Sequence, residues 1–289
     1  MNLNFENLEQ DFLTEEVQKI VLEILEKSHE LNSFEWYTFI LSCIDLTSLN
    51  ATDSASQGEK MAIKVSEFKQ NFPPLPNVAA ICVYPTLLEP IKKNLQAREV
   101  KIASVAGGFP SSQTYLDVKI LETMMAIDNG ANEIDIVLNL GDFLQEDYES
   151  AKREISTIKK AIGNTHLKVI LESGALKSYS KIWKASMISM EAGADFIKTS
   201  TGKFDPAATP EAAWIMCRAI KLFYEKTQIK VGFKAAGGIT ETNDALVYLA
   251  IVKEVLGDEW LTKDLFRIGA SRLANNLLTS IMREKVSYF

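Results

Sequence analysis

Two lysines stand in short apolar runs of similar character, Lys198 in DFIKTS (195–200) and Lys234 in KVGFKA (230–235), and a third run, EIDIVL (133–138), carries Asp135. A lysine amine is a nucleophile only when neutral, and at an ordinary pKa near 10.4 only about one in a few thousand is neutral at pH 7. Burial and a neighbouring ammonium both lower that pKa, so two lysines brought together can activate one another for imine formation with a carbonyl compound. A shift of about 3 pH units would make the neutral amine abundant. An acid held beside them can relay protons through a bound water. Residue type alone leaves open which lysine forms the imine.

For these side chains to meet, the elements that carry them must surround one interior. Eight short runs rich in Val, Ile or Phe alternate with longer amphipathic stretches: SCIDL (42–46), VAAICVY (78–84), IASVAG (102–107), EIDIVL, LKVILE (167–172), DFIKTS, KVGFKA and RIGA (267–270). They recur about every 32 residues, the size of a βα unit, which predicts an α/β fold, a single (β/α)8 TIM barrel over 33–289. A doubly wound open sheet is the alternative, but the regular repeat favours closure. Residues 1–32, helical in pattern over 14–30, form an N-terminal helical extension expected to cover the N-terminal face of the barrel. In TPEAAWIMCRAIKLFYEK (209–226), Thr209 and Pro210 give a helix start with Pro at the first helical position.

Side chains alternate between the two faces of a strand. The outer face of a parallel barrel packs on helices and must be apolar, so the charged sets face inward. Asp135, Lys168, Glu172, Lys198 and Lys234 are therefore expected to converge in one buried polar cluster toward the C-terminal face, where active sites of such barrels lie. Lys230 and Arg267 begin their strands and are expected at the opposite, N-terminal face. The same charges could instead form a self-satisfied ion network that merely plugs the barrel.

Three loops follow the last three runs: STGK (200–203), AAGG (235–238) and GAS (269–271). Loops at this end of a barrel can cradle phosphate with backbone N–H groups and a helix N-terminus. Gly237 and Gly238 would allow close approach, Lys203 would bring a charge and Ser271 a hydroxyl. A lone Gly-Gly is also an ordinary turn; the three loops together are more specific. Inward lysines beside a phosphate cradle point to amine chemistry on a phosphorylated carbonyl compound.

Composition bounds the remaining classes. A net charge of −7 disfavours nucleic acid as a partner. Three widely spaced cysteines, Cys43, Cys82 and Cys217, give no disulfide framework and fit a reducing, cytoplasmic setting. The acidic start MNLNFENLEQDF has no signal-peptide pattern, and no apolar run reaches membrane-spanning length. With only His29 and His166, in separate polar settings, no zinc site is expected, and no other metal or cofactor is called for.

The motifs IDLTSLN (44–50), AAICVYP (79–85), EIDIV (133–137), KVILESG (168–174), IKTSTGK (197–203), GFKAAGG (232–238) and RIGAS (267–271) resemble, in order and spacing, those of the deoxyribose-phosphate aldolase family, class I aldolases on a (β/α)8 barrel. The resemblance runs from about residue 40 to 280. It implies reversible cleavage of 2-deoxy-D-ribose 5-phosphate to D-glyceraldehyde 3-phosphate and acetaldehyde. It further implies Lys198 as the Schiff-base nucleophile, Lys234 as its activating neighbour and Asp135 as the proton donor and acceptor. Asp45, Thr47, Cys82 and Lys168 match positions near the substrate, and Thr201, Gly202, Lys203, Gly237, Gly238, Gly269 and Ser271 match the phosphate end. Cys82 reads equally well as a small core residue. Ala235 stands where some family members carry Pro, Thr240 and Arg272 where they often carry Arg and Ser, and the family's C-terminal tyrosine has only Tyr288 as counterpart. The implied partners are small phosphorylated sugars and aldehydes, with no nucleic acid and no membrane; homo-oligomerisation is left open. Another Schiff-base phosphosugar aldolase or transaldolase-like barrel, and a non-catalytic phosphosugar-binding barrel, are the alternatives.

Overall fold

In the computed structural model, which describes residues 10–289, eight parallel strands close on themselves in chain order. They are β1 (Ile44–Thr47), β2 (Ala80–Val83), β3 (Lys101–Val105), β4 (Glu133–Val137), β5 (His166–Ile170), β6 (Phe196–Lys198), β7 (Gly232–Ala236) and β8 (Phe266–Ala270). Each apolar run of the sequence supplies one strand, and β8 pairs back onto β1 through Ile44 and Ile268. The chain is a (β/α)8 TIM barrel.

The helices are α1 (Thr14–Ser28), α2 (Phe34–Ser42), α3 (Ala55–Asn71), α4 (Leu88–Asn94), α5 (Leu116–Asp128), α6 (Leu140–Leu144), α7 (Tyr148–Ile162), α8 (Ser173–Leu176), α9 (Tyr179–Glu191), α10 (Pro210–Thr227), α11 (Thr242–Leu256) and α12 (Leu273–Met282). Those from α3 onward follow the strands and form the outer layer. Helix α10 starts as its sequence dictates: the Thr209 hydroxyl accepts from the Ala212 N–H, and Pro210 occupies the first turn, where no intrahelical donor is needed. The outward strand residues Ile134, Ile136, Leu167, Val169, Ile197 and Phe233 are all buried against this layer.

The N-terminal helix departs from expectation. Helix α1 does not cover the barrel's N-terminal face; it packs on α10 and α11 at the flank. Its buried stripe, Val17, Val21, Ile24 and Ser28, repeats at helical spacing and needs an apolar partner. The groove between α10 and α11 offers one, and Phe12 adds contacts to Trp183 and Trp214. Helix α2 is the element that meets the start of a strand, with Phe39 stacked on Phe266 of β8. The first nine residues of the 1–32 stretch lie outside the described residues.

At the other terminus, Tyr288 and Phe289 pack on Phe68 of α3, and the Tyr288 hydroxyl donates to the Lys64 carbonyl. The terminal tyrosine is thus held against α3. Among the described residues no helix is long and apolar enough to cross a membrane.

Candidate active site

The barrel interior holds an ion cluster in place of the usual aliphatic layers. Asp45, Glu133, Asp135, Lys168, Lys198, Lys234 and Arg267 are all buried, each an inward residue of its strand. Strand register sets their order: Lys198 of β6 is paired with Lys234 of β7, which is paired with Arg267 of β8. Across the barrel, Asp135 of β4 is paired with Lys168 of β5.

Asp135 is the hub. One carboxylate oxygen accepts from Lys168 at 3.0 Å, and the other accepts from both Lys198 and Lys234 at 2.9 Å. Lys234 also donates to Asp45 at 2.5 Å. Beneath lies a second tier: Arg267 donates to Asp45 at 2.6 Å and to Glu133 at 2.9 Å, and Glu133 takes the Lys168 ammonium at 2.6 Å. Removing one of the carboxylates from such a network would leave buried cations unpaired, a loss of about 3–5 kcal/mol.

The two lysines differ in their counter-charges, and this separates their proton affinities. Burial lowers the Lys198 pKa and the Lys234 ammonium lowers it further; its one carboxylate partner, Asp135, does not make up the difference. Burial also pulls Lys234 down, but Asp135 and Asp45 together outweigh it and hold Lys234 above the ordinary lysine value. Lys168 is likewise raised, burial being outweighed by Asp135, Glu133 and Asp45. Burial by itself would raise Asp135, but Lys168, Lys198 and Lys234 hold it well below the usual carboxylate range. The arrangement is one amine poised toward neutrality beside a persistent ammonium and an ionised carboxylate.

Above the cluster opens a cleft of about 230 Å³, lined by Thr47, Lys198, Thr201, Gly202, Lys203, Gly237, Gly238, Gly269 and Ser271 among others. Lys198 is the cluster lysine that reaches this cleft. The cleft passes to the N-terminus of α12, where Arg272 at the cap position provides no side-chain cap, leaving backbone donors available to an anion. Gly237 has φ +91°, and a Cβ there would fall 2.6 Å from that of Ala207 and 2.9 Å from the Ser200 hydroxyl. Gly269 has a different duty: a Cβ would sit 3.1 Å from Cε of Lys234, so its bare backbone makes room for the lysine stem.

The structure thus brings together every inward residue predicted for the cluster except one. Glu172 is not among the lysines but on the rim, in a left-handed conformation with φ 51°. Its carboxylate accepts from the Thr201 N–H at 3.1 Å and hydroxyl at 2.5 Å. Burial raises its pKa, with the Thr201 hydrogen bonds working against that rise. Since Thr201 also accepts from the Lys203 N–H, its hydroxyl is committed to the loop's own structure. The period-two pattern could not foresee this, because strand β5 ends at Ile170 and alternation ends with it.

Arg267, expected at the N-terminal face, instead points into the barrel and is ion-paired to Asp45 and Glu133. Glu133, its partner, shares the inward face with Asp135 and was legible by parity, though not counted in the cluster. Asp45, Lys168 and Cys82 lie beneath the cleft and do not line it. Cys82 packs with Leu49, Ala103 and Val105, and burial pushes its thiol pKa up. Ser48, Leu49 and Asn50, absent from the predicted set, form one cleft wall. Asp53 fixes that wall by accepting from the Ser48 hydroxyl at 2.7 Å and the Asn50 N–H at 2.9 Å; SLNATD would be recognisable as a capped turn, but not as a wall. Among the described residues no group of three or more His, Cys, Asp or Glu could hold a metal ion.

Comparison with known proteins agrees with this geometry. A family model described as DeoC/LacD family aldolase matches residues 39–255. A deoxyribose-phosphate aldolase of Bos taurus is 44% identical, over 82% of this chain and 78% of its own. The Homo sapiens deoxyribose-phosphate aldolase is 42% identical, over 84% and 79% respectively. Among solved structures, a deoxyribose phosphate aldolase from Aeropyrum pernix, described as tetrameric, superposes with a TM-score of 0.69 at 26% identity, covering 89% of this chain and 97% of that one.

Proposed function

The chain belongs to the DeoC/LacD family of aldolases, and from that premise we propose that it cleaves 2-deoxy-D-ribose 5-phosphate reversibly to D-glyceraldehyde 3-phosphate and acetaldehyde through an imine on Lys198. The observation that carries the assignment is the asymmetry of the two amines: Lys198 is lowered and opens on the cleft, whereas Lys234 is raised and held by two carboxylates.

In the cleavage direction, the neutral Lys198 Nζ adds to the C1 aldehyde of the open-chain sugar. The carbinolamine loses water to give a protonated imine. A base then takes the C3 hydroxyl proton, the C2–C3 bond breaks and its electron pair moves into the imine, leaving an enamine on Lys198 and releasing the three-carbon aldehyde phosphate. Protonation of the enamine at C2 and hydrolysis of the imine free acetaldehyde and restore the amine. Asp135, hydrogen-bonded to Lys198, is placed to relay these protons through a water. Lys234 stays an ammonium, so its role is electrostatic: it favours the neutral amine of Lys198. The substrate implies a place in deoxynucleoside breakdown, and the three free, buried cysteines support a reducing, cytoplasmic setting.

The phosphate is assigned to the end of the cleft formed by Gly202, Lys203, Gly237, Gly238, Ser271 and the start of α12. Binding energy gathered there, remote from C1, orients the aldehyde as well as retaining it. Lys203→Ala is expected to weaken handling of deoxyribose 5-phosphate by about 1.5–3 kcal/mol in kcat/KM, the range of a charge-assisted hydrogen bond, while scarcely affecting 2-deoxyribose. Both sugars, with fructose phosphates as competitors, are measured in both proteins. Equal losses on the two deoxy sugars would move the phosphate site elsewhere, and preference for a fructose phosphate would replace the proposed substrate.

A further inference from the structure

The ion-paired cluster does not balance if every member is charged: three carboxylates, Asp45, Glu133 and Asp135, face four cations, Lys168, Lys198, Lys234 and Arg267, while the rim carboxylate Glu172 is bonded to Thr201 and ion-paired to none of them. A net charge sealed inside a barrel is costly unless one group gives up its ionised form. We propose that Arg267 is the positioning residue that supplies the excess cation, and that by committing two carboxylates from below it forces the cluster to reach neutrality by deprotonating Lys198.

The contacts show how this works. Arg267 cannot deprotonate, and its fork occupies Asp45 and both oxygens of Glu133. Lys234 then shares Asp45, and Lys168 shares Glu133. Only Asp135 remains for Lys198, and it is already shared with Lys168 and Lys234. Lys198 is therefore the cation with the poorest share of negative charge, and the one bordering the cleft, where its proton can leave. The groups facing it are Asp135 from β4, Lys168 from β5, Lys234 from β7 and Cys82 from β2, with Glu172 on the rim and Asp45, Glu133 and Arg267 below. Cys82 stays a thiol and contributes no charge. Arg267 touches neither the cleft nor Lys198; its effect passes through Asp45 and Glu133.

This rests on Lys198 as the imine-forming amine, which wild-type protein tests first: acetaldehyde with cyanoborohydride should place an ethyl group on Lys198, and failure to do so removes that assignment and the charge-balance proposal with it. Given the adduct, the pH dependence of its formation and of kcat/KM is followed in folded variants. Arg267→Met leaves three carboxylates facing three lysines, so the acid limb should move up by about one pH unit or more, a roughly tenfold loss below that limb that is recovered at higher pH. Glu133→Gln removes a negative charge and should move the limb down. The Arg267→Met/Glu133→Gln double variant restores the original imbalance and should return the limb toward wild type, and Arg267→Lys should hold it in place. If Arg267→Met does not fold, the direction of the Glu133→Gln shift decides. An unmoved limb in the folded variants, or shifts of Arg267→Met and Glu133→Gln in the same direction, would overturn the proposal while leaving Lys198 as nucleophile intact.

Discussion

Lys198→Ala is expected to lose at least about 10⁴-fold in kcat, on the scale of removing a covalent nucleophile, and to give none of the borohydride-trapped ethyl adduct expected of wild type with acetaldehyde. In the proposed mechanism the effect is large because the imine makes C2–C3 cleavage accessible; without it the electron pair of the breaking bond has no cationic nitrogen to enter. The sign of the pH dependence follows from the lowered Lys198 pKa. Activity is present above that pKa and falls as pH drops through it, so the acid limb lies below the ordinary lysine range. Lys198→Ala also takes a positive charge or a hydrogen-bond donor from Asp135, but Lys168 and Lys234 remain to pair it, so the fold should persist. Thermal denaturation of the variant separates the two effects. Trapping on Lys234 in wild type, or undiminished turnover in the variant, would transfer the nucleophilic role.

Asp135→Asn should reduce turnover by about 100-fold or more, the scale of lost general acid–base assistance, with an additional loss because three lysines then share a neutral amide. The substitution preserves shape but removes the one carboxylate that touches Lys168, Lys198 and Lys234 together. The Lys198 pKa should therefore fall further, shifting the acid limb downward even as the maximal rate drops. A structural defect would lower the rate without that displacement. A variant that keeps near-wild-type turnover removes Asp135 from the proton relay.

Much of this was open to reading from sequence because a barrel strand leaves few choices. A charged residue alternating with Ile, Val or Phe in a strand that must be apolar on its helix-packed face can only point inward, which located Asp135, Lys168, Lys198 and Lys234. Eight runs at the spacing of one βα unit implied closure, and the loops after β6, β7 and β8 pointed to the end of the barrel where the cleft opens. These conclusions rest on local periodicity and on the repeat length, which the linear chain carries in full.

Tertiary structure decided what depends on register and on the limits of the strands. Which lysine has the lowered pKa follows from Lys234 having Asp45 and Asp135 as partners while Lys198 has Asp135 alone, and Asp45 lies 189 residues from Lys234 along the chain. Arg267 enters the barrel because its register beside Lys234 brings it over Asp45 and Glu133; a position at the start of a strand does not reveal that. Glu172 leaves the lysine cluster because β5 stops before it and the backbone turns left-handed. Helix α1 settles on α10 and α11 because an amphipathic stripe states that it must be covered but not by what. Periodicity fixes the face a side chain takes; the balance of charges at a site depends on which distant strands the closed barrel makes neighbours.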